Sequence, residues 1–124
     1  MLEHQALTDR IIGLAIDVHR HTGPGLLESV YADCLADELR AARIPCLREA
    51  AIPIVYKGRR LDKGFRADLL VDDAVIVEVK AVTALAPIHD VQLITYLRMS
   101  GLRVGLMFNF HAVRLVDGMR RRIV

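Results

Sequence analysis

Asp68, Glu78 and Lys80 are the residues of this chain whose types and spacing could do chemistry together. Glu78 and Lys80 stand inside Val-Ile-Val-Glu-Val-Lys-Ala-Val, residues 75–82, an apolar, β-branched run that reads as a buried strand. Alternate residues of a strand share a face, so Glu78 and Lys80 lie side by side while Val75, Val77 and Val79 pack the other way. Charges are rarely buried unless they are paired or bound to a metal. Asp68 sits on the preceding apolar run, and a neighbouring strand would bring its carboxylate to that of Glu78. Mg²⁺ takes oxygen ligands, commonly one or two carboxylates with waters and a substrate phosphate. The backbone carbonyl of Val79 could add a further ligand. Lys80 beside such an ion could orient or deprotonate a water, or offset charge building on a phosphate. The set suits hydrolysis of a phosphodiester. The plain alternative is a Glu78–Lys80 ion pair on an exposed strand face, worth about 0–1 kcal/mol. Spacing alone leaves both open.

The elements around these residues decide whether they can meet. Opposed residues of an antiparallel pair share a face. A two-residue loop at Asp72-Asp73 would set Asp68 against Val77, on the wrong face. A three-residue loop, Asp72-Asp73-Ala74, sets Asp68 against Glu78 and Leu70 against Ile76. Cooperation therefore demands an odd loop or a bulge.

Upstream, residues 8–21 read as a helix with Ile11, Ile12, Ala15, Ile16 and His19 on one side. Gly23-Pro24-Gly25 breaks it. A second helix is expected over 26–43, with Leu27, Val30, Tyr31, Cys34, Leu35 and Leu39 as its apolar stripe. Glu28 falls in its first turn, where a carboxylate suits the helix dipole, and Tyr31 is its neighbour three residues on. Strands follow over 46–56, where Pro53 suits an edge or a bulge, and over 61–71, before the 75–82 run. A third helix over 88–99 shows Ile88, Val91, Ile94 and Leu97 on an apolar side and His89, Gln92 and Tyr96 on a second face. Residues 102–110 read as a strand, with Gly105 allowing close backbone approach. Residues 112–116 and 119–124 read as a hairpin around Asp117-Gly118. The order ααβββαβββ indicates a mixed α/β fold, a central sheet with helices packed on it, as one domain over 1–124.

Composition narrows the class. The chain has 124 residues, 53% apolar and 26% charged, typical of a water-soluble domain. No apolar run is long enough to cross a membrane, and the N-terminus lacks signal-peptide character, so no membrane partner and a cytoplasmic location are expected. Cys34 and Cys46 form neither a CxxC nor a zinc pattern and read as free thiols. Arginines number fourteen against three lysines, but the net charge of +2 does not by itself require a polyanion. Arg114, Arg120, Arg121 and Arg122 are a candidate phosphate patch, or a solvated surface.

The chain also resembles the GxxExxY family, a branch of the PD-(D/E)XK nuclease superfamily. The naming motif stands as Gly25-Leu26-Leu27-Glu28-Ser29-Val30-Tyr31, after Val18-His19-Arg20-His21-Thr22-Gly23-Pro24. Gly64-Phe65-Arg66-Ala67-Asp68 is similar to the family's aspartate strand, and Val77-Glu78-Val79-Lys80-Ala81 to its Glu-x-Lys strand. Residues 89–97 resemble its following helix and 105–110 its next strand. The resemblance implies a restriction-endonuclease-like core and a nuclease using Mg²⁺ or Mn²⁺ on DNA or RNA. It implies Asp68 and Glu78 (with the Val79 carbonyl) as metal ligands, and Lys80 as base or phosphate stabiliser. Glu28 is implied as an additional helix carboxylate, and Gln92 as the residue orienting substrate or water. Tyr31 and His89 are implied as supporting residues, and with Tyr96 they are the candidate substrate contacts. A homodimer would enlarge the footprint. The alternative is a non-catalytic module that keeps the fold and binds nucleic acid or protein.

Overall fold

A computed structural model describes residues 3–124. Two helices come first, α1 (Gln5–Thr22) and α2 (Glu28–Ala41). Three strands follow, β1 (Cys46–Tyr56), β2 (Arg59–Val71) and β3 (Val75–Lys80). Helix α3 (Pro87–Ser100), β4 (Val104–Asn109), a 3₁₀ turn (Leu115–Gly118) and β5 (Met119–Ile123) complete the order. The five strands form one mixed sheet in the spatial order β1-β2-β3-β4-β5. Only β3 and β4 run parallel, and α3 is the crossover between them, as a parallel neighbour requires.

The sheet separates two apolar cores. Ile11, Ala15, Tyr31, Leu35 and Leu39 of α1 and α2 pack on Leu69, Val71, Val75, Val77 and Val79. On the opposite face Leu93 and Leu97 of α3 pack on Ile52, Ala67, Ile76 and Met107. Strands β3 and β4 are covered on both sides, which is why their sequences run apolar almost without alternation. A Cβ on Gly105 would lie 2.7 Å from Leu93 Cδ1, so the glycine lets α3 sit down on β4.

The register turns on the β2–β3 connection. Leu70 opposes Ile76 and Val71 opposes Val75, leaving Asp72, Asp73 and Ala74 as the loop. The odd loop expected from the sequence is the one formed. Asp72 and Asp73 take left-handed φ of 53° and 51°, a conformation these side chains tolerate. Pro53 lies on the edge strand beside a register shift, as its missing N–H requires.

Three expectations are corrected. Residues 112–116 form no strand: Asp117 N–H bonds to Arg114 O in a 3₁₀ turn, and β5 pairs with β4 instead. The sheet therefore has five strands, not six. The Asp117-Gly118 pair serves a tight reversal, because Leu115 is drawn into the α1/α2 core and a Cβ on Gly118 would press on Asn109 O at 2.8 Å. The buried side of α3 is Leu93 and Leu97, while Ile88 and Val91 face outward. In α2 the stripe is Tyr31, Ala32, Leu35, Ala36 and Leu39, with Leu27 and Val30 exposed. Both helices carry apolar residues around much of their circumference, so spacing alone does not select the packed face.

Candidate active site

Strands β2 and β3 part company beyond Leu69 and Val77. Glu49 of β1, next to this point, has a left-handed φ of 49°. On either side of it the ribbon changes face: Leu69 packs in the α1/α2 core and Ala67 in the α3 core. Asp68 stands at that switch. The ladder is replaced by side chains. Asp68 Oδ2 accepts from the Val79 N–H at 2.7 Å, and Glu78 Oε2 accepts from the Asp68 N–H at 3.2 Å. Each carboxylate thus holds the other's strand, and the two are locked as neighbours. The N–H and C=O of one strand residue project to the same edge, so the Val79 carbonyl faces the Asp68 side.

Burial and proximity tell on the charges. Glu78 is 6% exposed. Its burial, then its contact with Asp68, push its pKa up to about 8 despite Lys80 nearby. Burial first, and then the charges of Glu78 and Asp68, also push up the Tyr96 phenol. Tyr96 packs at the α3-side core within electrostatic reach of the carboxylate pair, its ring stacked on Phe65 at 3.7 Å. Lys80 is half-buried, and among the described residues it forms no ion pair. The simple Glu78–Lys80 surface ion pair is absent.

Glu28 enters from the start of α2. Its Oε2 accepts from the Ala81 N–H at 2.8 Å, just past Lys80. It lines a cleft of about 560 Å³ together with Leu27, Arg48, Glu49, Asp68 and Ala81. The approach of α2 is fixed by Tyr31, whose hydroxyl donates to Gly23 O at 2.5 Å and accepts from Leu26 N–H at 3.1 Å. Its ring stacks on Phe110 at 4.5 Å. Tyr31 is fully enclosed, which corrects its reading as a substrate contact: it shapes the turn that delivers Glu28. His89 Nδ1 accepts from the Ala86 N–H and closes the start of α3, so it too is tied to the chain. Gln92 is exposed, one turn before Tyr96 on the same side of α3.

Two further residues brace the site. Arg48 Nε donates to Asp33 Oδ1 at 2.9 Å and its Nη1 donates to Asp68 O at 2.8 Å, tying α2 to the aspartate strand. Asn109, opposite Lys80 in the parallel pair, clasps Val82 through both its N–H and its C=O. Its place at the end of a strand neighbouring the Glu-x-Lys strand is the only sequence signal for it. Arg48 offers none. Of the four candidate phosphate-patch arginines, three are placed apart from one another. Arg121 reaches Thr8 and Glu3 beside α1, Arg122 pairs with Asp90 of α3 at 2.9 Å, and Arg114 lies in the 3₁₀ approach.

The donors at the strand divergence are all oxygen. No group of three or more His, Cys, Asp or Glu side chains placed to hold a metal occurs among the described residues. Two adjacent carboxylates with a strand carbonyl suit a hard dication that keeps part of its water shell, and do not suit zinc. Cys34 and Cys46 are free thiols.

A family model of the PD-(D/E)XK nuclease superfamily matches residues 5–122. The chain belongs to that superfamily. Its mixed sheet between helices is consistent with the restriction-endonuclease-like fold that membership implies. No curated protein and no solved structure matches the chain. No helix among the described residues is long and apolar enough to cross a membrane.

Proposed function

We propose that the protein is a GxxExxY-type, Mg²⁺- or Mn²⁺-dependent nuclease that hydrolyses phosphodiester bonds in nucleic acid at the parting of β2 and β3. One observation carries this reading. Asp68 and Glu78 are held together by reciprocal side-chain bonds to each other's strand, at the point where the β2–β3 ladder ends. A fold that needed only a sheet would continue the ladder; setting a buried carboxylate, Glu78, against the half-buried Asp68 is costly unless a cation compensates them.

Asp68, Glu78 and the Val79 carbonyl would hold the ion. Bound there, it would supply Lewis-acid polarisation of the phosphate and lower the pKa of a water. The chain's own groups do the rest. Lys80 stabilises charge that builds on the phosphate oxygens, or takes the proton from the attacking water. Gln92 orients that water or the substrate. Glu28, anchored on Ala81, fixes the strand end that presents Lys80 and bounds the cleft through which the backbone enters. Tyr96, stacked on Phe65 on the α3 side, borders the carboxylates.

The test is cleavage by the purified protein. Plasmid, single-stranded DNA and RNA are incubated with Mg²⁺ or Mn²⁺ and product is followed on gels. Cleavage of one substrate class that disappears with chelator, Glu78→Gln and Lys80→Ala supports the reading. Equal cleavage by these variants, or binding with no cleavage of any substrate, refutes it; the second outcome would leave the non-catalytic module.

A further inference from the structure

The β1–β2 ribbon outgrows the sheet. Only Leu69–Val71 of β2 pair with β3, although β2 begins at Arg59. Ile52, Phe65 and Ala67 still pack against α3, and beyond them residues 53–64 join neither core. At about 3.3 Å per residue, this two-stranded arm reaches roughly 20 Å past the body.

Its charge is segregated from the rest. Residues 54–66 carry Lys57, Arg59, Arg60, Lys63 and Arg66 against Asp62 alone, a net +4 in a chain whose total is +2. All five cations are exposed. The four ion pairs among the described residues involve none of them. Elsewhere Arg48, Arg103 and Arg122 each have an acidic partner. Unpaired cations gathered on a projecting ribbon repel one another, which favours a polyanion that neutralises them. The ribbon leads straight to the site, since Arg66 lies two residues before Asp68.

The shape selects the polyanion. The major groove of B-form DNA admits a two-stranded ribbon, whereas that of A-form RNA is too narrow for side chains to read. Proteins that hold single strands stack successive bases on aromatic side chains. Among the described residues Tyr56 is the only tyrosine or phenylalanine in an exposed position, and Lys57 Nζ already lies 5.4 Å from its ring centroid. Opposite Ile54, β2 carries an extra stretch, so that Pro53 faces Gly64 and Val55 faces Arg60. Such bulges strengthen the right-handed twist, which lets a ribbon follow a groove. We infer that the β1–β2 arm is a duplex-DNA clamp, with Lys57, Arg59, Arg60, Lys63 and Arg66 on backbone phosphates and Tyr56 at the groove. The inference rests on the nuclease reading for its substrate class, but its own claim is binding.

The test measures binding of the full chain in chelator, so that cleavage plays no part. Probes are a labelled 30-base-pair DNA duplex, an RNA duplex and a single strand of the same sequence, read by fluorescence anisotropy between 50 and 200 mM salt (about the range in which phosphate contacts dominate). The variant is Lys57→Gln/Arg59→Gln/Arg60→Gln. A charge-matched control is Arg20→Gln/Arg43→Gln/Arg98→Gln, at exposed positions on α1, just after α2 and on α3, all outside the arm. The wild type should prefer duplex DNA. The arm variant should bind it about tenfold or more weakly, with the slope of log K against log salt reduced by about 2–3, and the control should stay within about threefold of wild type. Equal losses in arm variant and control, no loss in the arm variant, or preference for RNA or the single strand would overturn the inference, as would capture of an acidic protein surface with no DNA affinity. DNA binding through the arm without cleavage sustains the clamp and fails the nuclease. Cleavage unaffected by the arm variant at every salt does the reverse.

Discussion

Glu78 is the side chain whose ionisation the fold opposes, and that opposition is measurable. Its carboxyl is buried against Asp68, and its pKa is raised in the folded chain to about 8, while the unfolded value is near 4.3. The native state thus holds its proton more tightly than the unfolded state. This contribution to stability is fully present below about pH 4 and is lost as pH rises towards 8. In chelator, unfolding free energy should therefore decline between about pH 5 and 8, by at most about 1.4 kcal/mol per pH unit. Glu78→Gln should flatten the slope over that window. Denaturant melts at several pH values check this, and an unchanged slope in the variant would remove Glu78 as its source. Lys80 gives the complementary case. It forms no ion pair among the described residues, so Lys80→Ala should alter stability by no more than about 0.5 kcal/mol. Cleavage should nevertheless fall by about 10²–10⁴-fold, the usual cost of removing a proton-transfer or charge-stabilising group. A large stability loss with intact cleavage would make Lys80 a structural residue.

At the scale of elements, the site depends on how helices are seated. Tyr31 →Phe keeps the stack on Phe110 but leaves Gly23 O and Leu26 N–H without their shared partner. The expected loss is about 1–3 kcal/mol, with weaker cleavage because Glu28 is no longer delivered to Ala81. Gly105→Ala drives a methyl against Leu93 and Leu97, and overpacking of this kind costs about 1–3 kcal/mol. Thermal or urea melts measure both, and a neutral Gly105→Ala would mean that α3 yields freely. These elements also mark what the sequence makes legible. The odd β2–β3 loop was readable because two charges on a two-sided strand admit only one useful parity. Strand β1 is legible as a strand-like run whose Pro53 suits an edge or a bulge. The packed face of α3 was not, because Ile88, Val91, Leu93, Ile94 and Leu97 offer overlapping apolar faces and only contact with Gly105 selects Leu93 and Leu97. The C-terminal hairpin suggested by Asp117-Gly118 does not form because that dipeptide is a local signal, while the partner of β5 is the distant β4. Within the site, Asp68, Glu78 and Lys80 announce themselves by charge on apolar strands. Arg48 and Asn109 act through backbone groups far along the chain, and nothing in their neighbours' types reveals that.

For the whole molecule, the two cores meet only through the sheet, and the carboxylate pair sits where that sheet opens between β2 and β3. An ion held there would bridge the aspartate strand to the central strand shared by both cores. It would bind the folded chain alone, since Asp68 and Glu78 have no fixed relation once unfolded. Linkage then gives a stabilisation of about 2.7 kcal/mol at a concentration 100 times the dissociation constant. For a domain of this size, that corresponds to a melting-point increase on the order of 10 °C. The ion also competes with the proton held by Glu78, so the increase should be larger at pH 8 than at pH 6. Differential scanning fluorimetry with Mg²⁺ or Mn²⁺ against chelator measures it without any nucleic acid. Asp68→Asn should abolish the saturable shift while leaving the metal-free melt within a few degrees. Ca²⁺, also an oxygen-seeking dication, should stabilise the wild type through the same residues. An equal shift in Asp68→Asn and wild type would place the ion elsewhere and separate metal binding from the β2–β3 divergence.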